Sequence, residues 1–410
     1  MPITFQSLLT NKSLLKAVVE QGYTEPTPIQ QQSIPYILNN RDVMARAQTG
    51  TGKTAAFALP LLQRLSAQRQ ANQGIKVLVL APTRELAQQV FKSFEYYGKY
   101  TEISMALAYG GVSIKPQIAA LNAGAEVLIA TPGRLLDHLV NGSLSLQYLE
   151  TIVFDEADRM LDMGFKDEIT RILQCIPEQR QTLLFSATFD DAILQLSHKL
   201  LEDPHRIEID ERNSAASDVE QIVYTVDEDR KRELLSYVIG SKNWQQVLIF
   251  TRTKQAADEL AKEMCKDGIK AKSLHGDKSQ GARDKVLADF KSGKIRALVA
   301  TDVAARGIDI VDLGYVVNYE LPYVAEDYVH RIGRTGRAGK NGLALSLVSP
   351  SEEWLLTAIE KVIDERLLQQ WLPGYEPDLT KKEAPKRAVN KKKARSQALQ
   401  KRNGATRRKR

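Results

Sequence analysis

Cysteine is nearly absent from this chain of 410 residues: Cys175 and Cys265 alone support neither a disulfide framework nor a cysteine-based zinc site. Long apolar runs are missing too. No stretch reaches the roughly 18 apolar residues of a membrane-spanning helix. Met1-Pro2-Ile3-Thr4-Phe5 lacks the charged, then apolar, opening of a secretory signal. A cytoplasmic protein with no membrane partner is expected. No short tandem repeat occurs, which excludes a solenoid. Acidic residues are scarce in one place only. Residues 381–410 hold 14 Lys or Arg against the single acid Glu383, a net of +13; with +7 overall, the preceding residues carry −6. A segment so basic and so poor in apolar side chains cannot build a core. It is expected to be disordered and to bind a polyanion, the plainer alternative being a solubilising appendage.

What remains is an ordinary globular mixture, 43% hydrophobic and 26% charged, long enough for two or three domains. Short apolar runs alternate with helical patterns, which implies an α/β fold with parallel sheets. A first series comprises Val77-Leu78-Val79-Leu80, Val127-Leu128-Ile129, Ile152-Val153-Phe154 and Leu183-Leu184-Phe185. From Asp203 to Asp218 the order fails in a polar, aperiodic stretch. A second series then follows, Val247-Leu248-Ile249-Phe250, Ala297-Leu298-Val299, Tyr315-Val316-Val317 and Leu343-Ala344-Leu345. The expected organisation is a domain over 1–205, a linker over 206–218, a second domain over 219–372 and a disordered basic tail over 373–410.

The most informative stretch is Ala47-Gln48-Thr49-Gly50-Thr51-Gly52-Lys53-Thr54. The apolar run from Asp42 to Ala47 precedes it and helix-compatible Ala55-Ala56-Phe57-Ala58-Leu59 follows, the context a phosphate-binding loop requires. Glycines let successive N–H groups converge on phosphate oxygens, and the new helix adds its unpaired N–H groups. In such a loop Lys53 reaches the β- and γ-phosphates and the Thr54 hydroxyl sits on Mg²⁺. The general pattern has Gly where Ala47 stands, so the loop by itself leaves a chance match open.

Open α/β sheets bind ligands where strands end at their carboxyl edge. Polar clusters recur after these apolar runs: Ala81-Pro82-Thr83-Arg84, Ala130-Thr131-Pro132-Gly133-Arg134, Asp155-Glu156-Ala157-Asp158, Ser186-Ala187-Thr188, and Thr301-Asp302 through Arg306-Gly307-Ile308-Asp309. Asp155, ending an apolar strand, is the candidate metal residue opposite the Lys-Thr turn. Glu156 is placed to orient and deprotonate an attacking water. Phosphoryl transfer to a substrate stays open from these residues alone.

Asp155-Glu156-Ala157-Asp158 spells the name of the DEAD-box RNA helicases, and the ordered motifs of that family appear across residues 5–337. Tyr23 through Pro26-Thr27-Pro28-Ile29-Gln30 resembles the adenine-reading Q motif, with Phe5 at its upstream aromatic. His330-Arg331-Ile332-Gly333-Arg334-Thr335-Gly336-Arg337 resembles the family's last motif. Ala47 is the family's usual residue, and the chain is most similar to the bacterial RhlE-type subgroup.

The resemblance implies two RecA-like domains that hold ATP on one side of a cleft and single-stranded RNA on the other. Gln48, Thr49, Gly50, Thr51, Gly52, Lys53 and Thr54 would hold the phosphates, and Thr54 with Asp155 would hold Mg²⁺. Phe5, Tyr23 and Gln30 would form the adenine site, Gln30 through an amide able to donate to N7 and accept from the N6 amino group. Asp309 would touch the ribose. Arg334 and Arg337 would act as arginine fingers, worth roughly 10³ to 10⁵ in rate elsewhere. Ser186 and Thr188 would couple nucleotide to RNA, and Asp158 and His330 would bridge the domains. The family's RNA contacts fall on Pro82, Thr83, Arg84, Gly110, Gly111, Thr131, Gly133 and Arg134, then on Arg252, Gly276, Thr301 and Asp302. Base-stacking aromatics are missing from these motifs, which implies a grip on the sugar-phosphate backbone. The implied activity is RNA-stimulated ATP hydrolysis coupled to local separation of short RNA duplexes. The rivals are a DNA translocase and an ATP-dependent RNA clamp. A monomeric core and partners among ribosomal precursors or the RNA-decay machinery are expected.

Overall fold

A computed structural model of the chain describes residues 3–47, 50–68, 74–209, 219–305, 313–336, 342–378 and 380. These form two compact units that divide near residue 210.

The first unit carries strands β1 (Val43–Arg46), β2 (Val77–Leu80), β3 (Met105–Ala108), β4 (Val127–Ala130), β5 (Thr151–Asp155), β6 (Gln181–Ser186) and β7 (His205–Glu208). They pair in the order β3-β4-β2-β5-β6-β1-β7, every pairing parallel. Continuous apolar runs are what a sheet covered by helices on both faces demands. Successive side chains point to opposite faces. Val77, Val79, Val153, Leu183 and Phe185 accordingly join one core layer, while Leu78, Leu80, Ile152, Phe154 and Leu184 join the other. Each such buried side chain contributes about 1.5 to 3 kcal/mol of burial free energy.

The second unit carries β8 (Val219–Thr225), β9 (Val247–Thr251), β10 (Ala271–Leu274), β11 (Ala297–Thr301), β12 (Tyr315–Asn318), β13 (Gly342–Val348) and β14 (Gln369–Gln370). Their order is β10-β11-β9-β12-β13-β8-β14, again all parallel. Counted from its own first strand, each sheet reads 3-4-2-5-6-1-7, so the second unit repeats the topology of the first strand for strand. The expected α/β class with parallel sheets holds in both units.

Two expected boundaries shift. Residues 206–208, read as the start of the linker, lie in β7, which pairs with β1 along Val43 to Arg46. Their charged sequence hid a strand because β7 is an edge strand, with only Ile207 buried. Residues 373–378, read as tail, dock on the second unit. Tyr375 packs against its core, the Arg230 guanidinium donates to the Gly374 carbonyl at 2.8 Å, and the Asp378 N–H donates to Asp227. Residues 210–218 and 381–410 lie outside the described residues. No helix among the described residues is long and apolar enough to cross a membrane.

Candidate active site

The phosphate-loop segment leaves β1 and enters the helix Lys53–Ala67. Gly50 and Gly52 have φ of 95° and 89°, the left-handed region that a side chain disfavours. Gly52 caps the helix without any side-chain hydrogen bond, so first-turn N–H groups remain to meet an anion. A Cβ on Gly52 would stand 2.4 Å from Gln30 Nε2, which is why this position has none. Lys53 is 6% exposed, and its Nζ is buried with no hydrogen-bond partner among the described residues. An unpaired buried ammonium is costly. A phosphate oxygen would satisfy it. Gln48 and Thr49 lie outside the described residues.

Strand order sets what faces this loop. β6 lies between β1 and β5, with Arg46 opposite Ser186 and Asp155 opposite Phe185. The Ala47 N–H donates to the Ser186 carbonyl at 3.0 Å. Three neighbouring carboxyl ends thus bring together the loop, Asp155 and Ser186. Burial pushes the Asp155 carboxyl up to about 7; the Lys53 charge opposes this, and the negative charge of Glu156 adds to it. A carboxylate and a hydroxyl, the groups Asp155 and Thr54 carry, are oxygen donors of the kind a hard divalent cation such as Mg²⁺ takes. No group of three or more His, Cys, Asp or Glu that could hold a metal occurs among the described residues. Mg²⁺ needs no such protein cage, since it keeps several waters and is bound through one or two carboxylates plus substrate phosphates.

Glu156 adopts φ 55° and ψ 54°, a left-handed conformation rare for a non-glycine residue. That bend starts the helix Ala157–Asp162 and brings Arg159 back, its Nη1 donating to Glu156 Oε2 at 2.7 Å. Arg159 was not singled out from the sequence; an i,i+3 pair is its only signal there. Asp158 was expected to bridge the domains. Within the first unit its Oδ2 accepts from the Ala187 N–H at 3.0 Å, the Thr188 N–H at 3.2 Å and the Thr188 hydroxyl at 3.4 Å. The Thr188 N–H also approaches Ser186 Oγ at 3.4 Å. The carboxylate helix is thereby tied to the Ser186–Thr188 segment.

Gln30 sits in the first turn of the helix Pro28–Leu38, with its Oε1 accepting from the Thr27 N–H at 3.0 Å and its Nε2 donating to the Gly52 carbonyl at 3.1 Å. The amide keeps one N–H and one lone pair for a base. Phe5 is 2% exposed and stacks on Tyr23 with centroids 6.3 Å apart. Tyr23 is the exposed ring of the two, and its hydroxyl meets that of Tyr97 at 3.2 Å. Phe5 therefore backs Tyr23 and presents no open ring face of its own.

The segments after β2, β3 and β4 share the same sheet edge. Pro82 is buried, and Thr83 caps the helix Arg84–Gly98, its hydroxyl accepting from the Leu86 N–H at 3.2 Å. The Arg84 guanidinium lies so close to Gly111 (φ 81°) that a Cβ there would be 2.0 Å from Nη1; Gly110 stands slightly farther off. Thr131 caps the helix Pro132–Val140 without a side-chain bond, and at Gly133 a Cβ would meet nothing within 4 Å. Arg134, expected to contact RNA, has a side chain only 10% exposed. Its guanidinium donates to Gln117 Oε1 at 3.1 Å and to the Val112 carbonyl at 2.9 Å, so it serves as a strut between loops.

In the second unit Arg331, within the His330–Arg337 motif, is the anchor. It is 1% exposed and donates to both oxygens of Asp302, to Asn318 Oδ1 at 3.1 Å and to the Glu320 carbonyl at 2.7 Å. Asp302, expected at RNA, is thus engaged in holding the Arg334 segment. Arg334 is buried and His330 half-buried. Arg252, also expected at RNA, is paired with Glu320 and Glu352 and stacked 4.8 Å over Tyr323. Lys231, wholly buried, completes this network by donating to Glu352 and to the Tyr319 carbonyl. Strand for strand this edge corresponds to the phosphate-loop edge of the first unit, and Lys231 opens the helix after β8 as Lys53 opens the helix after β1. Thr301 ends β11, and Gly276 leaves its Lys254 neighbour 3.9 Å from a Cβ. Asp309 and Arg337 lie outside the described residues.

Comparison with known proteins gives matches to the family models for DEAD/DEAH box helicase over residues 27–196 and for the helicase conserved C-terminal domain over residues 230–339. The DEAD-box ATP-dependent RNA helicase RhpA of Helicobacter pylori is 44% identical over 364 residues, covering 89% of this chain and 73% of that protein. The DEAD-box ATP-dependent RNA helicase CshA of Bacillus cereus is 43% identical over 364 residues, covering 89% and 69%. Among solved structures, S. cerevisiae Dbp5 bound to RNA and ADP BeF3 is 31% identical with a TM-score of 0.79, covering 98% of this chain and 99% of that one.

Proposed function

This chain belongs to the DEAD-box family of ATP-dependent RNA helicases, and we propose that it hydrolyses ATP at the first unit's phosphate loop in response to single-stranded RNA. We propose further that the cycle parts short RNA duplexes locally and remodels RNA or RNA–protein complexes. The observation that carries the reading is the buried Lys53 Nζ, which has no hydrogen-bond partner among the described residues, across the sheet edge from the desolvated Asp155 carboxyl. That arrangement favours a polyphosphate with its metal over any neutral ligand.

Lys53 and the N–H groups following Gly52 bind and orient the β- and γ-phosphates. Thr54 and Asp155 would hold Mg²⁺, which, when bound, neutralises charge developing on the phosphate oxygens. Glu156, oriented by Arg159, takes the proton of the attacking water. The Gln30 amide selects adenine with the donor and acceptor left free by Thr27 and Gly52. Arg334 and Arg337 of the second unit supply positive charge at the γ-phosphate, so turnover depends on both units. Backbone N–H groups around Gly110, Gly111 and Gly133 grip phosphates without reading sequence, and 2′-hydroxyls distinguish RNA from DNA.

The test is strand release from a short duplex with an RNA or a DNA loading strand, with ATP and with a non-hydrolysable analogue. Release with ATP on the RNA strand only supports the reading. Equal release on DNA would make the protein a DNA translocase. Stable RNA binding with the analogue but no release with ATP would make it a clamp.

A further inference from the structure

One side chain that none of the sequence motifs includes joins segments leaving β2, β3 and β4. Gln117 lies in the helix Lys115–Asn122 and is buried. Its Nε2 donates to the Tyr109 carbonyl at 3.0 Å, and its Oε1 accepts from Arg134 Nη1 and from His138 Nε2, each at 3.1 Å. Arg134 passes the connection on to the Val112 carbonyl, and the Tyr109 hydroxyl accepts from Gln88 Nε2 at 2.8 Å in the helix Arg84–Gly98.

The amide cannot be turned round. Arginine only donates and a backbone carbonyl only accepts, so the nitrogen must face Tyr109 and the oxygen must face Arg134. A carboxylate would lose the donor, and an apolar side chain would lose both. The same reasoning assigns His138. Facing an oxygen already committed as an acceptor, its Nε2 carries the proton, and the neutral ring offers Nδ1 to the Ser143 hydroxyl at 2.9 Å. Burial, with the Arg134 charge adding, holds this wholly buried imidazole below the ordinary histidine value, which keeps the ring neutral near pH 7.

We propose that Gln117 is a positioning residue for RNA binding: it holds Tyr109-Gly110-Gly111 in register with Thr131–Arg134, and His138 fixes the direction of its amide. The proposal rests on the reading that this edge grips RNA. Backbone donors on separate loops bind successive phosphates well only when their spacing is set beforehand. The Arg84 guanidinium borders the same turn, since a Cβ on Gly111 would stand 2.0 Å from its Nη1. Losing the register weakens RNA binding and leaves the phosphate loop, which lies beyond β5 and β6 in the sheet, untouched.

The experiment uses the full chain with Gln117→Met, which keeps length and removes all three bonds. Labelled single-stranded RNA is titrated by anisotropy with a non-hydrolysable ATP analogue, and ATPase is measured against RNA and against ATP. RNA affinity should fall about ten-fold, while the KM for ATP and kcat at saturating RNA stay within about two-fold. Combined with Arg134→Ala, the loss should be smaller than the product of the two single losses, because both act through one contact. Gln117→Glu, which keeps the acceptor and loses the donor, should give an intermediate loss and carries the same comparisons if the Met variant does not fold. Unchanged RNA affinity, or losses that multiply, overturns the proposal. Gly133→Glu places a carboxylate where the chain has open space. If that variant binds RNA normally, the reading of this edge falls and the proposal with it; if it binds weakly while both Gln117 variants bind normally, the proposal alone falls.

Discussion

Arg331 holds Asp302 through two parallel bonds, Nε to Oδ1 at 2.6 Å and Nη2 to Oδ2 at 2.8 Å, at the carboxyl end of β11. The same guanidinium lies 5.0 Å over Phe250 of β9 and bonds Asn318 of β12, so three strand ends fix the segment that carries Arg334. Breaking one partner of a buried pair leaves an uncompensated charge and costs about 3 to 5 kcal/mol. Asp302→Ala should lose stability on that order in urea unfolding. It should also lower kcat for ATP while leaving nucleotide affinity little changed, because Arg334 loses its support and the phosphate loop does not.

Glu352 gives a pH signature. Burial raises its carboxyl, but Lys231 and Arg252 outweigh burial and hold it below the ordinary value of 4.5. An acid whose folded pKa is depressed contributes stability above its unfolded pKa and loses it as pH falls through the folded one. Glu352→Gln should therefore cost about 3 to 5 kcal/mol at neutral pH. The gap to the parent protein should narrow as unfolding is repeated below pH 4.5. A gap that stays constant with pH would mean the pair contributes by shape and not by charge.

Gly52→Ala tests the link between the phosphate loop and the adenine-reading amide. The new methyl group would meet Gln30 Nε2 at 2.4 Å on a backbone with φ 89°. Positive φ alone costs about 1 kcal/mol for a side chain, and the collision breaks the Gln30 bond to the Gly52 carbonyl. Binding of a fluorescent ATP analogue should weaken by about ten-fold or more, a difference of about 1.4 kcal/mol. Equal affinity would show that the two motifs act separately.

Much of this was legible in the chain. Apolar runs such as Val77-Leu78-Val79-Leu80 announce buried parallel strands because a strand covered on both faces has no polar side, and β2 has the same bounds. Asp155 closes β5, as its place directly after such a run implies. β3, β7 and β10 were not legible, since Met105-Ala106-Leu107-Ala108, His205-Arg206-Ile207-Glu208 and Ala271-Lys272-Ser273-Leu274 are short, with small or charged residues interleaved. Side-chain pairings were the least legible part. Arg252 and Glu352 are 100 positions apart and Arg134 and Gln117 are 17 apart, so no local pattern in the sequence couples these guanidiniums to their partners.

Residues 381–410 enter through charge alone. Fourteen basic residues against one acid should grip any nearby RNA by counterion release, without sequence preference. Removing them should weaken apparent RNA affinity and flatten its dependence on salt, with maximal ATP turnover at saturating RNA little changed. RNA-stimulated ATPase at two salt concentrations, with and without the segment, reads both quantities; coincident curves would reduce it to a solubilising appendage.

Whether ATP hydrolysis at the Lys53 and Asp155 edge answers to RNA is read from phosphate release by the Glu156→Gln variant and the parent chain, with and without saturating single-stranded RNA. The substitution keeps shape and removes the base. The parent should turn over faster when RNA is added, whereas the Gln variant should bind ATP and RNA together yet release almost no phosphate. RNA-independent turnover in the parent, or near-normal turnover in the Gln variant, would contradict the account.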